Sequence, residues 1–310
     1  MPRRRIGQET FGFGVAERNS SLDALHDLIE WSQPEARLGE VYAAERGEPA
    51  WPPLTLFKAL LLAVWHDLSD VRLAEALDDR ASFRRFCGFS RFEPTPERTA
   101  FVRFRRELVA RGLDRALFEA VTDQLRAKAV TVKTGTLVDA TVIGSASQGD
   151  AEAGWSGHRS RQAIHGYKAH VAADADTGLV ELADVTPGNA HDGRAGVAVI
   201  PDAPGEVFAD SAYRGAHFAE AVRAHGGVAR VAPTHYWGRE GDEVAASAFT
   251  ARVKAIQRIR SRIEKIFGTW KRSYGLRRMR WQGIAKARLQ VHLTAVAYNL
   301  RRGLTLLRTA

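Results

Sequence analysis

Residues 136–145, TLVDATVIGS, are the most informative run in the chain. From Thr136 to Ile143 the side chains are mostly branched or apolar, which is typical of a β-strand covered by protein on both faces. Asp139 stands in the middle of this run. Because an unpaired carboxylate in such a place costs several kcal/mol, the position of Asp139 predicts a functional role.

More strand-like runs follow along the chain. In total, strands are predicted at residues 136–143, 165–174, 178–186, 205–213 and 227–233. Asp176-Thr177-Gly178 predicts a tight turn between the second and third strands. The segment 145–161 is rich in Gly and Ser, and we expect a mobile loop there.

Helices are predicted between and after these strands. One begins near His191, with Asp192 as its N-cap, and others run from Arg214 to His225 and from Ala246 to Trp270. The order is β-β-β-α-β-α-β-α, with three antiparallel strands first. This order predicts a mixed sheet with helices packed on it.

Residues 1–130 are predicted to be a separate all-α domain, and residues 131–310 the sheet domain with basic C-terminal helices. Apolar residues recur at helical spacing from Ser21 to Ser32. A proline-rich loop precedes a strongly apolar helix that begins near Thr55, which is too short and too interrupted to span a bilayer. Short helices with tight turns favour a helix-turn-helix-like DNA-binding domain. A plain helical bundle with exposed arginines fits the same pattern.

Capping residues mark several helix ends in this half. Ser69 or Asp70 is expected to cap one helix, and Gly88 to end the next. Thr95 is expected to cap the following helix, with Pro96 in its first position. On that helix, three arginines are predicted to share one side and to contact DNA phosphates: Arg98, Arg105 and Arg106.

The charge distribution points to a polyanionic partner. The chain has 310 residues and a formal charge of +9. From residue 251 to 310 there are 16 Lys and Arg against a single acidic residue, Glu264. A solvated helix surface usually mixes both signs, so this imbalance favours a nucleic acid.

Other features of the composition narrow the class of protein. The only cysteine is Cys87, which excludes a disulfide framework and a multi-cysteine zinc site and fits a reducing cytoplasm. No secretory signal is visible at the N-terminus.

Acidic residues at two strands predict a metal site. Asp210 ends the fourth predicted strand, as Asp139 lies in the first. Two nearby carboxylates raise each other's pKa unless a cation lies between them, and Mg²⁺ prefers oxygen ligands. Glu264 is the candidate third ligand, because helical spacing places it on one flank with Arg260 and Lys271. An ordinary helix-surface pair between Glu264 and Arg260 explains the same spacing.

The motifs resemble a known family over nearly the whole chain. Those in the first half are PPLTLFKALLLAVWHDLSDVRLAEALDDRASFRRFCGFS and TAFVRFRREL. Those in the second half are TLVDATVI, HGYKAHVAADADTGLV, VTPGNAHD, VFADSAYRG and the stretch from RSRIEKIFGTWKR to VAYNLRR. In this order they resemble a DDE transposase of the bacterial group named after insertion sequence five. The resemblance implies an RNase H-like catalytic domain and a catalytic triad of Asp139, Asp210 and Glu264.

The family motif around the glutamate runs Tyr, Arg, Glu, Lys at fixed spacing. Arg260, Glu264 and Lys271 match it, and Gln257 stands at the tyrosine position. The resemblance implies that the triad binds two Mg²⁺ ions, with Mn²⁺ as a substitute. Water then frees a 3′-hydroxyl at the element end, and that hydroxyl attacks target DNA.

The resemblance also implies a double-stranded DNA partner, a homodimer or higher homo-oligomer on DNA, and a bacterial, nucleoid-associated location in the cytoplasm. Its motif and the basic composition together predict these DNA-contacting residues: Arg260, Lys271, Arg272, Arg277, Arg278 and Arg280. Three other functions stay open on the residues alone. They are a metal-dependent nuclease of the same fold, an inactive helix-turn-helix regulator, and a structural nucleic-acid-binding protein.

Overall fold

The computed structural model describes residues 3–7, 21–42, 49–129, 133–158, 161–233 and 243–309. The chain divides into two compact units. The helical unit comprises Met1–Ala129, Ser273–Gly275 and His292–Ala310, and the sheet unit comprises Val130–Arg272 and Leu276–Val291. Residues from 292 onward, which the sequence assigned to the second domain, thus lie in the helical unit.

The helical unit is built around one apolar helix. Its helices are α1 (Ser21–His26), α2 (Ser32–Arg37), α3 (Pro53–Trp65), α4 (Asp70–Asp79), α5 (Ala81–Cys87), α6 (Arg98–Ala110), α7 (Leu113–Lys128) and the last part of α12 (Ile284–Thr309). Every residue of α3 except Leu54 is buried, as expected for a helix that is apolar on all sides. Trp65 at its end donates its indole N–H to the carbonyl of Ala297 in α12 at 2.8 Å.

Local signals place several helix ends correctly. The Ser69 hydroxyl accepts a hydrogen bond from the backbone N–H of Arg72 and caps α4, and Gly88 ends α5 with φ 88°. Two other predictions were wrong. The helix predicted over residues 21–32 ends at His26, whose carbonyl accepts the indole N–H of Trp31 at 2.7 Å, and the next helix begins at Ser32. Helix α6 begins at Arg98, since Glu97 is extended with ψ 167°.

The sheet unit contains one mixed sheet of six strands. They are β1 (Gly135–Gly144), β2 (Gly154–His158), β3 (Arg161–Asp174), β4 (Val180–Pro187), β5 (Glu206–Ala209) and β6 (Val228–Val231). The strand order is β2-β3-β1-β5-β6. β2 pairs with the first part of β3, and β4 pairs with the remaining part of β3. β1 pairs antiparallel with β3 and parallel with β5, so it is central. Helices preceding a mixed, helix-flanked sheet confirm the predicted fold class.

The five predicted strands are all present, and a sixth was missed. The segment predicted to be a mobile loop contains β2, which pairs with the start of β3. The predicted turn is confirmed: Gly178 has φ 68°, and the Asp174 carboxylate accepts the backbone N–H of Thr177 at 2.6 Å.

Helices cover the sheet. Helix α8 (Asp192–Ala195) and a 3₁₀ turn (Gly196–Val199) follow β4, a 3₁₀ turn (Ser211–Tyr213) and α9 (Ala216–Ala224) follow β5, and α10 (Glu243–Arg260) and α11 (Arg262–Ser273) follow β6. The predicted single helix from Ala246 to Trp270 is therefore interrupted at Ser261, whose hydroxyl donates to the carbonyl of Arg258 at 3.0 Å.

The core of the sheet unit lies against one face of β1. Val138 packs there with Ala172, Val207, Tyr213 and Phe218. Since side chains alternate along a strand, Asp139 points to the opposite face. In the described part of the chain, no helix combines the length and apolar content that crossing a membrane requires.

Gly166 allows β1 and β3 to approach closely. A Cβ at this position would lie 2.1 Å from the carbonyl oxygen of Ile143, a backbone atom that cannot move away alone. We expect Gly166→Ala to lower the free energy of unfolding by about 2 kcal/mol. Gly157 in β2 is exposed, and its Cβ position is open. Chemical denaturation should therefore show Gly157→Ala within about 0.5 kcal/mol of the wild type. Equal effects of the two substitutions would contradict the close approach.

Candidate active site

Asp139 and Asp210 meet at one end of the sheet. β1 and β5 are parallel neighbours with Leu137 opposite Phe208, and two residues further along each strand lie Asp139 and Asp210. Asp210 ends β5 and caps the following 3₁₀ turn, its carboxylate accepting the backbone N–H of Ala212 at 2.8 Å. Carboxyl ends of parallel strands are where open α/β sheets place their ligands.

The environment of Asp139 disfavours a negative charge. Burial, with smaller contributions from the carboxylates of Asp210 and Asp192, raises the pKa of Asp139 to about 7. The backbone N–H of Ala140 and the guanidinium of Arg260 oppose this rise. A cation beside Asp139 would favour its charged form.

Among the described residues, Arg260 supplies the positive charge that contacts Asp139. It is the last residue of α10, and its Nη1 donates to Asp139 Oδ2 at 2.9 Å. Its Nη2 lies 3.5 Å from Glu264 Oε1, and its buried Nε has no hydrogen-bond partner among the described residues. Arg260 thus lies between Asp139 and Glu264.

The structure does not bring Glu264 together with the two aspartates. The Glu264 side chain is 64% exposed on α11 and pairs with Arg260, four residues earlier. Within the described ranges, no three His, Cys, Asp or Glu side chains form a group able to hold a metal ion. The oxygen donors of Asp139 and Asp210, and their excess of negative charge, suit a hard divalent cation. The third ligand is not in place.

A cleft of about 540 Å³ opens beside Asp210. Its wall on α10 carries Lys254, Gln257 and Arg260, and Phe249 lies further back on the same helix. Gln257, at the position of the family tyrosine, therefore faces the cleft and lies next to the aspartates. The cleft is therefore lined on one side by the carboxylate of Asp210 and on the α10 side by the basic side chains of Lys254 and Arg260.

The predicted DNA-contacting residues of the sheet unit differ in their surroundings. Arg272 and Arg277 are exposed, and Lys271 and Arg280 are half-buried. Arg278 donates to the backbone carbonyls of Ser145 and Ala146 at 2.9 and 2.6 Å, so its guanidinium holds the chain that follows β1.

The three arginines of α6 also differ. Arg98 and Arg106 are exposed. Arg105 is buried and makes two hydrogen bonds to the Asp70 carboxylate, at 2.7 and 2.6 Å. Its guanidinium is engaged within the helical unit and does not belong to the exposed surface of α6.

Sequence reasoning missed two residues near the aspartates. Asp192 was interpreted as an N-cap, but the cap is His191, whose Nδ1 accepts the backbone N–H of Gly193 at 3.2 Å. The Asp192 carboxylate instead lies 2.8 Å from Lys168 Nζ. Tyr213 is fully buried, and burial together with Asp139 raises its pKa. The sequence signal for this cluster was Lys168 among the apolar and small residues of the second half of β3.

Comparison with family models agrees with this geometry. Residues 131–300 match the model described as the transposase DDE domain, and residues 14–107 match one described as a transposase domain (DUF772). The fold and the aspartates define an RNase H-like catalytic domain. Since the first match covers more than half of the 310 residues, the chain belongs to the DDE transposase family.

Membership makes the chain a DNA-cleaving transposase whose substrate is DNA, and it implies dependence on divalent metal in general. The order of the two matches supports the resemblance to the insertion-sequence-five group.

Asp139 should lower stability at neutral pH when no metal is present. Its pKa is about 7 in the folded protein against an ordinary value of 3.8, so the folded state binds the proton more tightly. The free energy of unfolding therefore falls as pH rises from about 4 to about 7. We expect the difference in Tm between Asp139→Asn and the wild type, measured in chelator, to increase from pH 5 to pH 8. Glu206→Gln, at the amino end of β5, controls for loss of a carboxylate. A difference in Tm that does not change with pH would contradict the raised pKa.

Adjacent arginines on α6 should behave differently when neutralised. Arg105→Gln leaves Asp70 without its bidentate partner, and we expect a loss of about 3 kcal/mol in the free energy of unfolding. Arg106→Gln should leave stability within about 0.5 kcal/mol and reduce the slope of log K against log salt for DNA by about 0.9. Chemical denaturation and salt titrations of binding measure both. A similar slope change for both variants, without a stability loss for Arg105→Gln, would refute this distinction.

Proposed function

We propose that the chain binds the terminal inverted repeats of its own insertion element, cleaves DNA at the element ends and joins the freed 3′-hydroxyl to target DNA. The observation that carries this proposal is the pair Asp139 and Asp210, which lie two residues beyond the last residues that pair β1 with β5, in a chain that matches a DDE domain. The carboxylates of the two aspartates can hold a cation, and the basic side chains that line the cleft beside Asp210 can hold the phosphate of a phosphodiester.

In this proposal Asp139, Asp210 and Glu264 are the catalytic and metal-binding residues. Two Mg²⁺ ions, or Mn²⁺ in their place, would when bound activate the attacking oxygen and stabilise the leaving 3′-oxygen. The chain itself holds the aspartates in position. The sheet fixes Asp139 through its pairing with Val171 of β3, and the Ala212 N–H fixes Asp210.

Arg260 is proposed to exchange partners when DNA binds. The guanidinium now contacts both carboxylates, Asp139 at 2.9 Å and Glu264 at 3.5 Å. A phosphate oxygen in the cleft offers Arg260 a partner of the same charge, with hydrogen bonds of similar strength. Its release would free both carboxylates at once, and the interruption at Ser261 separates α11, which carries Glu264, from α10.

The DNA path is proposed to follow the basic wall of the cleft. Lys254 and Arg260 line it, and Lys271 and Arg272 lie further along α11. In addition, Arg277 and Arg280 are proposed to meet phosphates of the same duplex. Phosphate contacts of this kind position DNA without reading its sequence, so recognition of the terminal repeats is assigned to the helical unit. Exposed Arg98 and Arg106 would contact the backbone there.

Transposition requires two element ends to be held together. One chain carries one pair of aspartates, so we propose a homodimer or higher homo-oligomer on DNA. This assembly would supply one catalytic site for each end.

Neutralising the triad should abolish cleavage and leave DNA binding intact. We expect Asp139→Asn, Asp210→Asn and Glu264→Gln to reduce cleavage of end-bearing DNA by about a thousandfold or more, because each removes a proposed metal ligand. Affinity for the same duplex should change less than about threefold, since none of these residues supplies positive charge. Gel-based cleavage assays with Mg²⁺ and binding titrations measure the two effects.

The control is Glu206→Gln at the amino end of β5, four residues before Asp210; Glu206 pairs with Arg230 of β6. It should cleave normally. Sequencing the products distinguishes the functions: joints between element ends and target DNA support a transposase, cut ends without joints indicate a nuclease, and binding without any product indicates a regulator. Normal cleavage by Asp139→Asn would refute the assignment of the site.

A further inference from the structure

A further cavity of the sheet unit lies between α8 and the beginning of α9. Its volume is about 490 Å³, and it shares no lining residue with the cleft beside Asp210. We call it the α8–α9 pocket. It is lined by two glycines and by His191, Arg194, Arg214, His217 and Phe218.

The α8–α9 pocket lies at the same end of the sheet as Asp139 and Asp210. β3 is antiparallel to both β1 and β4, so β4 runs in the direction of β1, and α8 follows the carboxyl end of β4. Gly193 of α8 packs against the turn after Asp210, because a Cβ at Gly193 would lie 2.7 Å from the carbonyl oxygen of Ala212. The pocket is therefore built directly against the turn that Asp210 caps.

The pocket and the cleft lie on opposite faces of the sheet. Phe218, which lines the pocket, packs in the core that covers Val138. Asp139, the next residue of β1, points to the other face, where Arg260 of α10 contacts it. A DNA strand in the pocket can therefore approach the turn after Asp210 while a second strand occupies the cleft.

The polar groups of the pocket suit a phosphate. None of its lining residues, all of them described, is acidic. Arg194 is exposed, and its guanidinium has no hydrogen-bond or ion-pair partner among the described residues. Arg214 is also exposed, and its Nε donates to the carbonyl of Ser211 at 3.1 Å, which holds the side chain on the turn. Guanidinium groups bind phosphate oxygens in a planar, bidentate geometry.

The histidines add a donor of defined orientation. His191 Nδ1 accepts the backbone N–H of Gly193 at 3.2 Å, so in the neutral imidazole the proton is on Nε2, which is a hydrogen-bond donor. Phe218 gives part of the wall an apolar surface, which suits a deoxyribose. The combination of basic, donor and apolar groups fits a nucleotide unit of a DNA strand better than an isolated anion.

We propose that the α8–α9 pocket binds a phosphate of the target DNA while the cleft holds the element end. This rests on the proposed function, in which two DNA molecules must meet at the same aspartates. Two sites on opposite faces of one strand end keep the two duplexes apart and bring both to Asp210. The cleft on the α10 side is already assigned to the element end, so the pocket is assigned to the target.

The main test loads the full-length chain with a pre-cleaved element end and then titrates a random-sequence duplex as the target. Arg194→Gln should weaken binding of this second duplex by about tenfold, the scale of one hydrogen bond to a charged group. It should also lower the slope of log K against log salt by about 0.9, whereas Arg194→Lys keeps the charge and the slope. Joining should fall about tenfold more than cleavage of an uncut end, because only joining uses the target.

The matched control is Arg223→Gln. Arg223 is an exposed arginine in the last turn of α9, and it does not line the pocket. Its replacement removes the same charge and should leave target affinity, the salt slope and joining unchanged. Melting curves should show all three variants within about 2 °C of the wild type, because the replaced side chains are exposed.

A second measurement does not depend on cleavage. Ala216→Cys places a thiol on an exposed residue beside the pocket, and Ala224→Cys places one at the exposed far end of α9. A random-sequence duplex that carries a tethered thiol should form a disulfide with the first variant at least about tenfold faster than with the second, since effective concentration sets the rate. Cys87 is buried and does not compete.

The outcomes separate the two proposals. If the wild type neither prefers nor cleaves element ends, yet Ala216→Cys reacts preferentially and Arg194→Gln lowers the salt slope for random duplex, the proposed function fails and the phosphate site stands. If the wild type cleaves and joins, but Arg194→Gln behaves like Arg223→Gln, the inference is overturned. It is also overturned if Arg194→Gln weakens binding of the element end and leaves binding of the target unchanged.

Discussion

The carboxylate of Asp139 lies inside a β-sheet, and the surrounding structure depends on the positive charge that Arg260 sets against it. Burial, Asp210 and Asp192 all act to raise the pKa of Asp139. Only the Ala140 N–H and the guanidinium of Arg260 act in the opposite direction. The end of α10 therefore lies against β1 at Asp139, and the cleft that α10 lines opens beside Asp210.

The same ion pair explains why the third acidic residue is displaced. A guanidinium can bridge two carboxylates. Here the guanidinium of Arg260 contacts Asp139 of β1 and also Glu264, which lies four residues after Arg260. This arrangement neutralises the buried charge with groups of the chain itself. It leaves Glu264 paired with Arg260, whereas catalysis is proposed to need Glu264 together with the two aspartates. Such conflict between stability and function is expected at a catalytic site.

The sequence correctly predicted the structural features that depend on interactions between neighbouring residues. The buried strand around Asp139, the Ser69 cap and the turn at Gly178 each depend on a few neighbouring residues. The pairing of one strand with another could not be predicted from such local patterns. β2 lies in a Gly- and Ser-rich segment and becomes a strand only because β3 extends past β1 to pair with it. Glu264 was placed beside Arg260 correctly by helical spacing, but spacing could not show which way the carboxylate turns.

The sequence also does not show which arginines are exposed to a binding partner. Net charge counts every guanidinium equally, yet the fold uses several of them internally. Arg105 neutralises Asp70, Arg278 binds two backbone carbonyls, and Arg84 is buried against the carbonyls of Ser90 and Glu93. An arginine whose guanidinium is held by other groups of the protein is not available to neutralise a DNA phosphate, so it contributes little to the release of counterions when DNA binds. The part of the +9 charge available to DNA therefore depends on exposed groups such as Arg106 and Arg272. A basic composition predicts the class of partner, whereas the folded structure determines which residues can reach it.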